Sequence, residues 1–327
     1  MNSTMLQSRV DAFNSYRSMQ EFGEAFIDAL PKHIRNLKIP GRVILQNQRR
    51  QPVLANVTHI PDIQDAMLEV LNHPITQDAQ RHAENAFEAF LEKAAMDSAV
   101  LKFFNGWNET HKTTSLVSAK IIMRLSADAL SVSAERHIEY LNVMAHMHEV
   151  AKDDFGLGHP GHDGMFEYMT SAFNATAWIE NQHKVRECNE FSDFLYSTGV
   201  SEHKSALNSI EHKSSIMDAM MISIASELWN GREYNFNAQY IEAKLLEVNP
   251  LLKMDVQALR NAKGYVMGHS GEVENKHGLH ALAAAQAYGR AMDIPFKLGR
   301  MKGIMLNYNE RVGRAFEAMH RYLTAEN

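Results

Sequence analysis

The sequence predicts an all-α protein, and three observations support this class. Only 8 prolines and 17 glycines interrupt a chain of 327 residues. Between them, apolar residues recur three and four positions apart, which is the spacing of one helix face. Ala, Leu, Met, Glu and Lys, all strong helix formers, dominate the long segments. The length suits one large helical core.

Most predicted helices are joined by short turns, and the exception lies near the start of the chain. Residues 37–62 carry three prolines and several β-branched residues, which indicate an extended connector or a small hairpin. We therefore predict an N-terminal extension over 1–60 and a main helical domain over 61–327. The segment 113–154 fits either one helix or two. The predicted helices span residues 3–30, 62–73, 76–104, 113–154, 162–176, 180–197, 201–230, 235–248, 252–268, 269–292 and 300–324.

Composition excludes several classes of function. The 33 basic and 39 acidic residues are spread along the chain, without the basic block that tracks a nucleic-acid backbone. The single cysteine, Cys188, rules out an internal disulfide framework. The polar start lacks the features of a secretion signal, and the most apolar run is too short to span a bilayer. We expect a cytoplasmic protein that binds neither nucleic acid nor membrane.

A first group of possible metal ligands lies in "HEVAKDDFGLGHPGHDGMF", residues 148–166. An apolar helical stripe along 143–151 continues to Asp154, so this carboxylate is expected to point towards the core. A buried carboxylate must be neutral, hydrogen-bonded or bound to a cation. Glycines then turn the chain, and His159 and His162 stand at the start of the next helix. The alternative is an ordinary helix end followed by solvated loop residues.

A second group lies on a predicted late helix, in "GHSGEVENKHGLHALAAAQAY". Glu274 and His277 are three residues apart and share a face, which continues into alanines suited to close packing. His269 precedes Glu274 by five residues, an offset that fits a π-bulge. In a regular helix Glu272 would be the nearer companion of His269. The alternative is an exposed helix start with ordinary Glu–Lys pairs.

One glutamate in the middle of the chain completes the pattern. In "MDAMMISIASELWNG", Glu227 follows Met220 and Ile224 on the apolar side of a predicted helix. An arginine or a backbone group could satisfy it. Together, however, the three signals provide the ligand types of a carboxylate-bridged di-iron site inside a helical bundle.

At these residues the chain resembles the heme-oxygenase-like di-iron oxidases over roughly residues 75–292. The segment "DDFGLGHPGH" resembles the family's acidic pair, glycine turn and histidine, with Asp154 where glutamate is commoner and with His162 as the histidine. Glu227 matches the glutamate of the middle helix. The segment "HSGEVENKH" matches the late motif, with its first histidine, His269, one residue earlier than usual. The resemblance implies a heme-oxygenase-like helical bundle.

The resemblance also implies oxygen chemistry. Members use two ferrous ions, with O2 as co-substrate, to oxidise small amino acids, amines or fatty acids. We therefore expect an iron-dependent oxidase or oxygenase that acts on a small-molecule substrate as a homodimer. N-oxygenation of an amine or amino acid is the leading expectation, with desaturation and oxidative C–C cleavage as alternatives. The predicted metal ligands are Asp154, His162, Glu227, His269, Glu274 and His277, with Glu149, His159 and Glu272 in reserve.

Three other functions fit the sequence less well. The nearest is an enzyme of the same fold without metal, resembling thiaminase-type or quinone-cofactor proteins. Thiaminase chemistry would need an active-site cysteine, and Cys188 lies outside both groups. A heme oxygenase would need a ligand histidine near the start of the domain, where His82 and His111 stand in no recognisable context. A helical binding protein, whose 19 methionines fill an adaptable core, needs no inward-facing carboxylate.

Overall fold

A computed structural model describes residues 57–155, 161–201, 204–270 and 273–325. Within these ranges the chain is helical and contains no β-strand, which confirms the all-α class. The predicted helix 3–30 and nearly all of the predicted extension 1–60 lie outside the described residues. The eleven α-helices of the described ranges are α1 (Ile60–Leu71), α2 (Pro74–Glu92), α3 (Ser98–Asp128), α4 (His137–Asp154), α5 (Gly161–Ala172), α6 (Arg186–Leu195), α7 (Ile210–Val248), α8 (Val256–Ala262), α9 (Gly264–His269), α10 (Val273–Met292) and α11 (Leu298–Thr324).

The largest correction concerns residues 93–128. The sequence predicted one helix over 76–104 and a gap before 113, but the chain breaks between α2 and α3 instead. The carboxylate of Asp97 accepts the backbone N–H groups of Ala99 and Val100, which caps the start of α3. The helix then continues through the predicted gap because Trp107 and its neighbours are buried, and packing outweighs local propensity.

The other boundaries follow the predictions more closely. The segment 113–154 divides at 129–136, so the two-helix alternative is confirmed. The predicted helix 252–268 is divided at Lys263 into α8 and α9. The predicted helix 180–197 corresponds to α6 and a five-residue π-helical turn, Tyr196–Val200.

Helix α7 is the central element of the domain. The sequence predicted two helices, 201–230 and 235–248, but α7 is a single helix of 39 residues capped by Ser209. Asn230, where the first predicted helix ends, and Gly231, where the predicted break begins, are buried within it. Because α3, α10 and α11 pack around α7, tertiary contacts hold the helix continuous there.

Two pairs of helices, α4 with α10 and α2 with α11, complete the core around α7. On one side α10 lies between α7 and α4. Its alanines 283–285 are fully buried, which allows close helix approach. On the other side α11 packs against α2. Aromatic side chains of α2, α3 and α5 fill the space between, with Phe87 and Trp107 edge to face at 5.1 Å. None of the described helices combines the length and apolarity required to cross a membrane.

The α2–α11 contact gives a direct test of this packing. A Cβ on Gly313 would lie 2.7 Å from Ala79 Cβ and 2.8 Å from Ala79 Cα. We predict that Gly313→Ala lowers the free energy of unfolding by about 1–3 kcal/mol, because α2 and α11 must move apart. Urea unfolding measures this change.

Gly303 provides the control on the same helix. A Cβ there meets no atom within 4 Å. Gly303→Ala should therefore be neutral or raise stability by up to about 1 kcal/mol through helix propensity. Equal effects of the two substitutions would contradict the close α2–α11 contact.

Candidate metal centre

Three buried side chains in the centre of the domain form a group that could hold a metal ion. Glu227 lies near the middle of α7, and Glu274 and His277 lie in the first two turns of α10. One ligand atom from each lies within 4.8 Å of the others. His277 Nδ1 is 3.5 Å from the Glu227 carboxylate and 3.7 Å from that of Glu274. These three predicted ligands therefore meet inside the protein, with their side chains at most 4% exposed.

The two carboxylates have opposite pKa shifts. Burial raises the pKa of Glu227 well above its usual range, and the nearby charge of Glu274 adds to the rise. Burial acts on Glu274 in the same direction, but hydrogen bonds from His269 and His277 bring its pKa well below the usual range. The pair therefore favours one shared negative charge. A cation bound between the carboxylates would allow both to ionise.

His269 joins this group through Glu274. Its Nδ1 atom is 2.7 Å from Glu274 Oε1, and its side chain is buried. The five-residue spacing predicted a π-bulge in one helix, with Glu272 as the alternative companion of His269 in a regular helix. In the structure α9 ends at His269 and α10 begins at Val273, so the two residues belong to separate helices that meet here.

His162 brings a further imidazole from the start of α5. Its ring centroid is 4.9 Å from that of His269, and its Nε2 atom is 3.0 Å from the Tyr234 hydroxyl. Burial lowers the pKa of His162 well below its usual range, and the neighbouring histidines His269 and His111 lower it further. His162 is therefore a neutral imidazole at physiological pH.

The remaining predicted ligands have different positions. Glu149 is half-exposed on α4, and its carboxylate forms an ion pair with Lys152 at 2.6 Å. Asp154 is the last residue of α4 and is half-buried. His159 and Glu272 lie outside the described residues. Glu149, Asp154, His159 and Glu272 stay predictions.

A second buried polar group adjoins the first and was not predicted. The Glu233 carboxylate accepts hydrogen bonds from the indole N–H groups of Trp107 at 2.7 Å and Trp229 at 2.6 Å. His111 Nε2 lies 3.3 Å from the same carboxylate. The ring centroids of His111 and His162 are 5.9 Å apart. The Glu233 group and the carboxylate–histidine group are therefore neighbours in the core.

The missed residues have a common cause. Trp107 and His111 fall in the segment predicted as a gap, and Glu233 falls at the predicted break within α7. Had both segments been assigned to helices, the four-residue spacing of Trp107 and His111 would have placed them on one face.

A further pair of histidines lies along α10, beyond the carboxylate–histidine group. His146 on α4 and His280 on α10 have their Nδ1 atoms 3.0 Å apart. Burial lowers the pKa of His146 to about 4. One neutral ring therefore donates an N–H to the other, and this contact links α4 to α10 one turn beyond His277.

No protein-family model, curated protein or solved structure matches the chain. The site is therefore defined by its own chemistry, which is a buried carboxylate–histidine group at the centre of an all-helical domain.

The hydrogen bonds of Glu233 can be tested by one substitution. Glu233→Gln keeps the side-chain volume but leaves one acceptor oxygen, so one indole N–H would face an amide N–H. We predict a loss of about 1–3 kcal/mol in the free energy of unfolding, measured by urea denaturation. The control Glu190→Gln removes a carboxylate from the exposed pair with Arg186 and should change stability by less than about 0.5 kcal/mol. Equal effects would contradict the assigned role of Glu233.

Proposed function

We propose that the protein is a non-heme di-iron oxidase or oxygenase that uses O2 to oxidise a small metabolite. The leading reaction is N-oxygenation of an amine or amino acid, with desaturation and oxidative C–C cleavage as alternatives on the same site. The observation that carries the proposal is the close approach of Glu227, Glu274 and His277 in the buried core.

The energetics of burial favour a cation at this position. Two carboxylates in an interior of low dielectric repel each other, and each is costly to keep charged without a counter-ion. A bound divalent ion would remove both penalties. The same three side chains would hold the first ion, with Glu274 and Glu227 as oxygen ligands and His277 as a nitrogen ligand.

Two further imidazole nitrogens are suited to binding a metal ion. Because ionised Glu274 accepts a hydrogen bond from His269 Nδ1, the lone pair of His269 is on Nε2. Because the Tyr234 hydroxyl donates to Tyr265, its oxygen accepts from His162 Nε2, and the His162 lone pair is on Nδ1. Both lone-pair nitrogens are buried and have no hydrogen-bond partner among the described residues. They therefore suit a metal ion, and His162 and His269 are proposed as ligands.

The donor set favours iron over a structural zinc ion. It combines carboxylates with imidazoles and includes no thiolate, since the only cysteine, Cys188, is buried against Ala315 of α11. Carboxylates can bridge two ions and change their binding mode as iron changes oxidation state, while neutral imidazoles hold each ion in place. When bound, ferrous iron would supply the electrons that reduce O2.

The surrounding residues would orient the ligands and exclude water. Tyr234 fixes the ring of His162 through its hydroxyl, and Glu274 does the same for His269. Tyr265 packs edge to face on His162 at 4.8 Å and on Trp107 at 5.5 Å. This aromatic wall keeps the site dry, which protects a reactive centre from side reactions.

The proposal predicts iron binding that depends on Glu227. After anaerobic loading with Fe(II), the purified protein should retain two iron ions per chain and consume O2 when a substrate amine or amino acid is added. Glu227→Gln should lower iron affinity at least about tenfold, since it removes an anionic ligand at the centre. Elemental analysis and an oxygen electrode measure both effects. The control Glu310→Gln, at an exposed pair on α11, should bind iron as the wild type does.

A helical binding protein would give the opposite result. Without a metal, Glu227 is a costly buried acid, so Glu227→Gln would be neutral or would raise the free energy of unfolding. A protein that retains no iron and gains stability from Glu227→Gln is not a di-iron enzyme.

A further inference from the structure

An open cavity of about 620 Å³ lies where α5, α8 and α9 meet. Its volume is that of a site for a small organic molecule. Met165 of α5, Arg260 of α8 and Gly264, Met267 and Gly268 of α9 contribute to its lining. It is formed outside the carboxylate–histidine group.

The cavity lies against the helices that carry two of the proposed metal ligands. Gly268 directly precedes His269, and Met165 lies one turn after His162 on α5. A Cβ built on Gly268 would be 4.0 Å from Met165 Sδ, so α5 and α9 are in contact at the cavity wall. The cavity is therefore lined by the same two contacting helices, α5 and α9, that carry His162 and His269.

Two glycines leave this wall open. Gly264 and Gly268 lie one turn apart on α9, and a Cβ on Gly264 would meet no atom within 4 Å. Neither glycine has a positive φ, so the backbone does not require glycine at these positions. Glycine is less favourable than alanine within a helix. What the two glycines provide in return is space in the cavity.

The residues that line the cavity indicate which class of ligand it could bind. Met165 and Met267 give the wall adaptable apolar surface. Arg260 is exposed at the cavity, and no acidic side chain in the described ranges forms an ion pair with it. A guanidinium binds a carboxylate through two parallel hydrogen bonds. One cation beside an apolar wall suits an organic anion with an apolar body.

We propose that this cavity binds an organic carboxylate, with its charged group on Arg260 and its apolar body against Met165 and Met267. Binding itself needs no metal. That the bound carboxylate is the substrate of the neighbouring centre rests on the proposed function.

Calorimetric titration of the full-length chain with octanoate tests the proposal, on metal-free and on Fe(II)-loaded protein. Octanoate should bind one per chain, while acetate, which lacks the apolar body, and octylamine, which carries the opposite charge, should bind at least tenfold more weakly. Arg260→Gln should weaken octanoate binding at least tenfold, and Arg81→Gln, at an exposed arginine of α2, should not.

A second variant tests the volume of the cavity. Gly264→Leu should abolish octanoate binding by filling the space. Gly299→Leu, in the first turn of α11 where a Cβ also meets no atom within 4 Å, should leave it unchanged. Arg260→Gln gives a result even if Gly264→Leu does not fold.

Three results would overturn the proposal. These are no octanoate binding at millimolar concentration, octylamine binding as tightly as octanoate, or binding that Arg260→Gln leaves unchanged. Iron content separates this failure from failure of the metal centre. A chain that takes up iron but not octanoate contradicts only the cavity, and a chain that binds octanoate but no iron contradicts only the metal centre.

Discussion

The close approach of Glu227 and Glu274 in an interior shielded from water is the interaction on which the rest of the site depends. Two carboxylates in such surroundings need hydrogen bonds, protons or positive charge, and the imidazoles around them provide hydrogen bonds. His269 and His277 contact Glu274, and His277 also contacts Glu227. A bound metal ion would supply the positive charge. The arrangement is costly to maintain for packing alone, since apolar residues of similar volume could fill the space.

The fold places these residues through one long central helix. Helix α7 carries Glu227, Glu233 and Tyr234 within two turns, so both buried polar groups are fixed to one rigid element. The small side chains of α10 let Glu274 and His277 approach it closely. The break between α9 and α10 lets His269 reach Glu274 from another direction, whereas in a regular α-helix residues five apart do not share a face.

Local spacing predicted which helix faces carry these residues. The three-residue interval put Glu274 and His277 on one face of a helix, and the apolar surroundings of Glu227 directed it to the core, because both signals are periodic within a helix. The expectation that the two helices meet rested on the resemblance. The approach of His269 depended on a helix end, and the contact of Trp107 with Glu233 depended on the packing of α3 against α7. Neither has a periodic signal. The continuity of α7 through Asn230 and Gly231 was missed for the same reason, since burial rather than propensity holds the helix there.

The central claim is that these carboxylates and imidazoles bind two iron ions in the core. Crystals of the Fe(II)-loaded protein, measured at the iron absorption edge, would locate the ions directly by anomalous scattering. The account predicts two peaks in the interior, with Glu227, Glu274, His277, His162 and His269 as their ligands. Iron found only at the surface, with the Glu227 and Glu274 side chains still held by His269 and His277 alone, would contradict it.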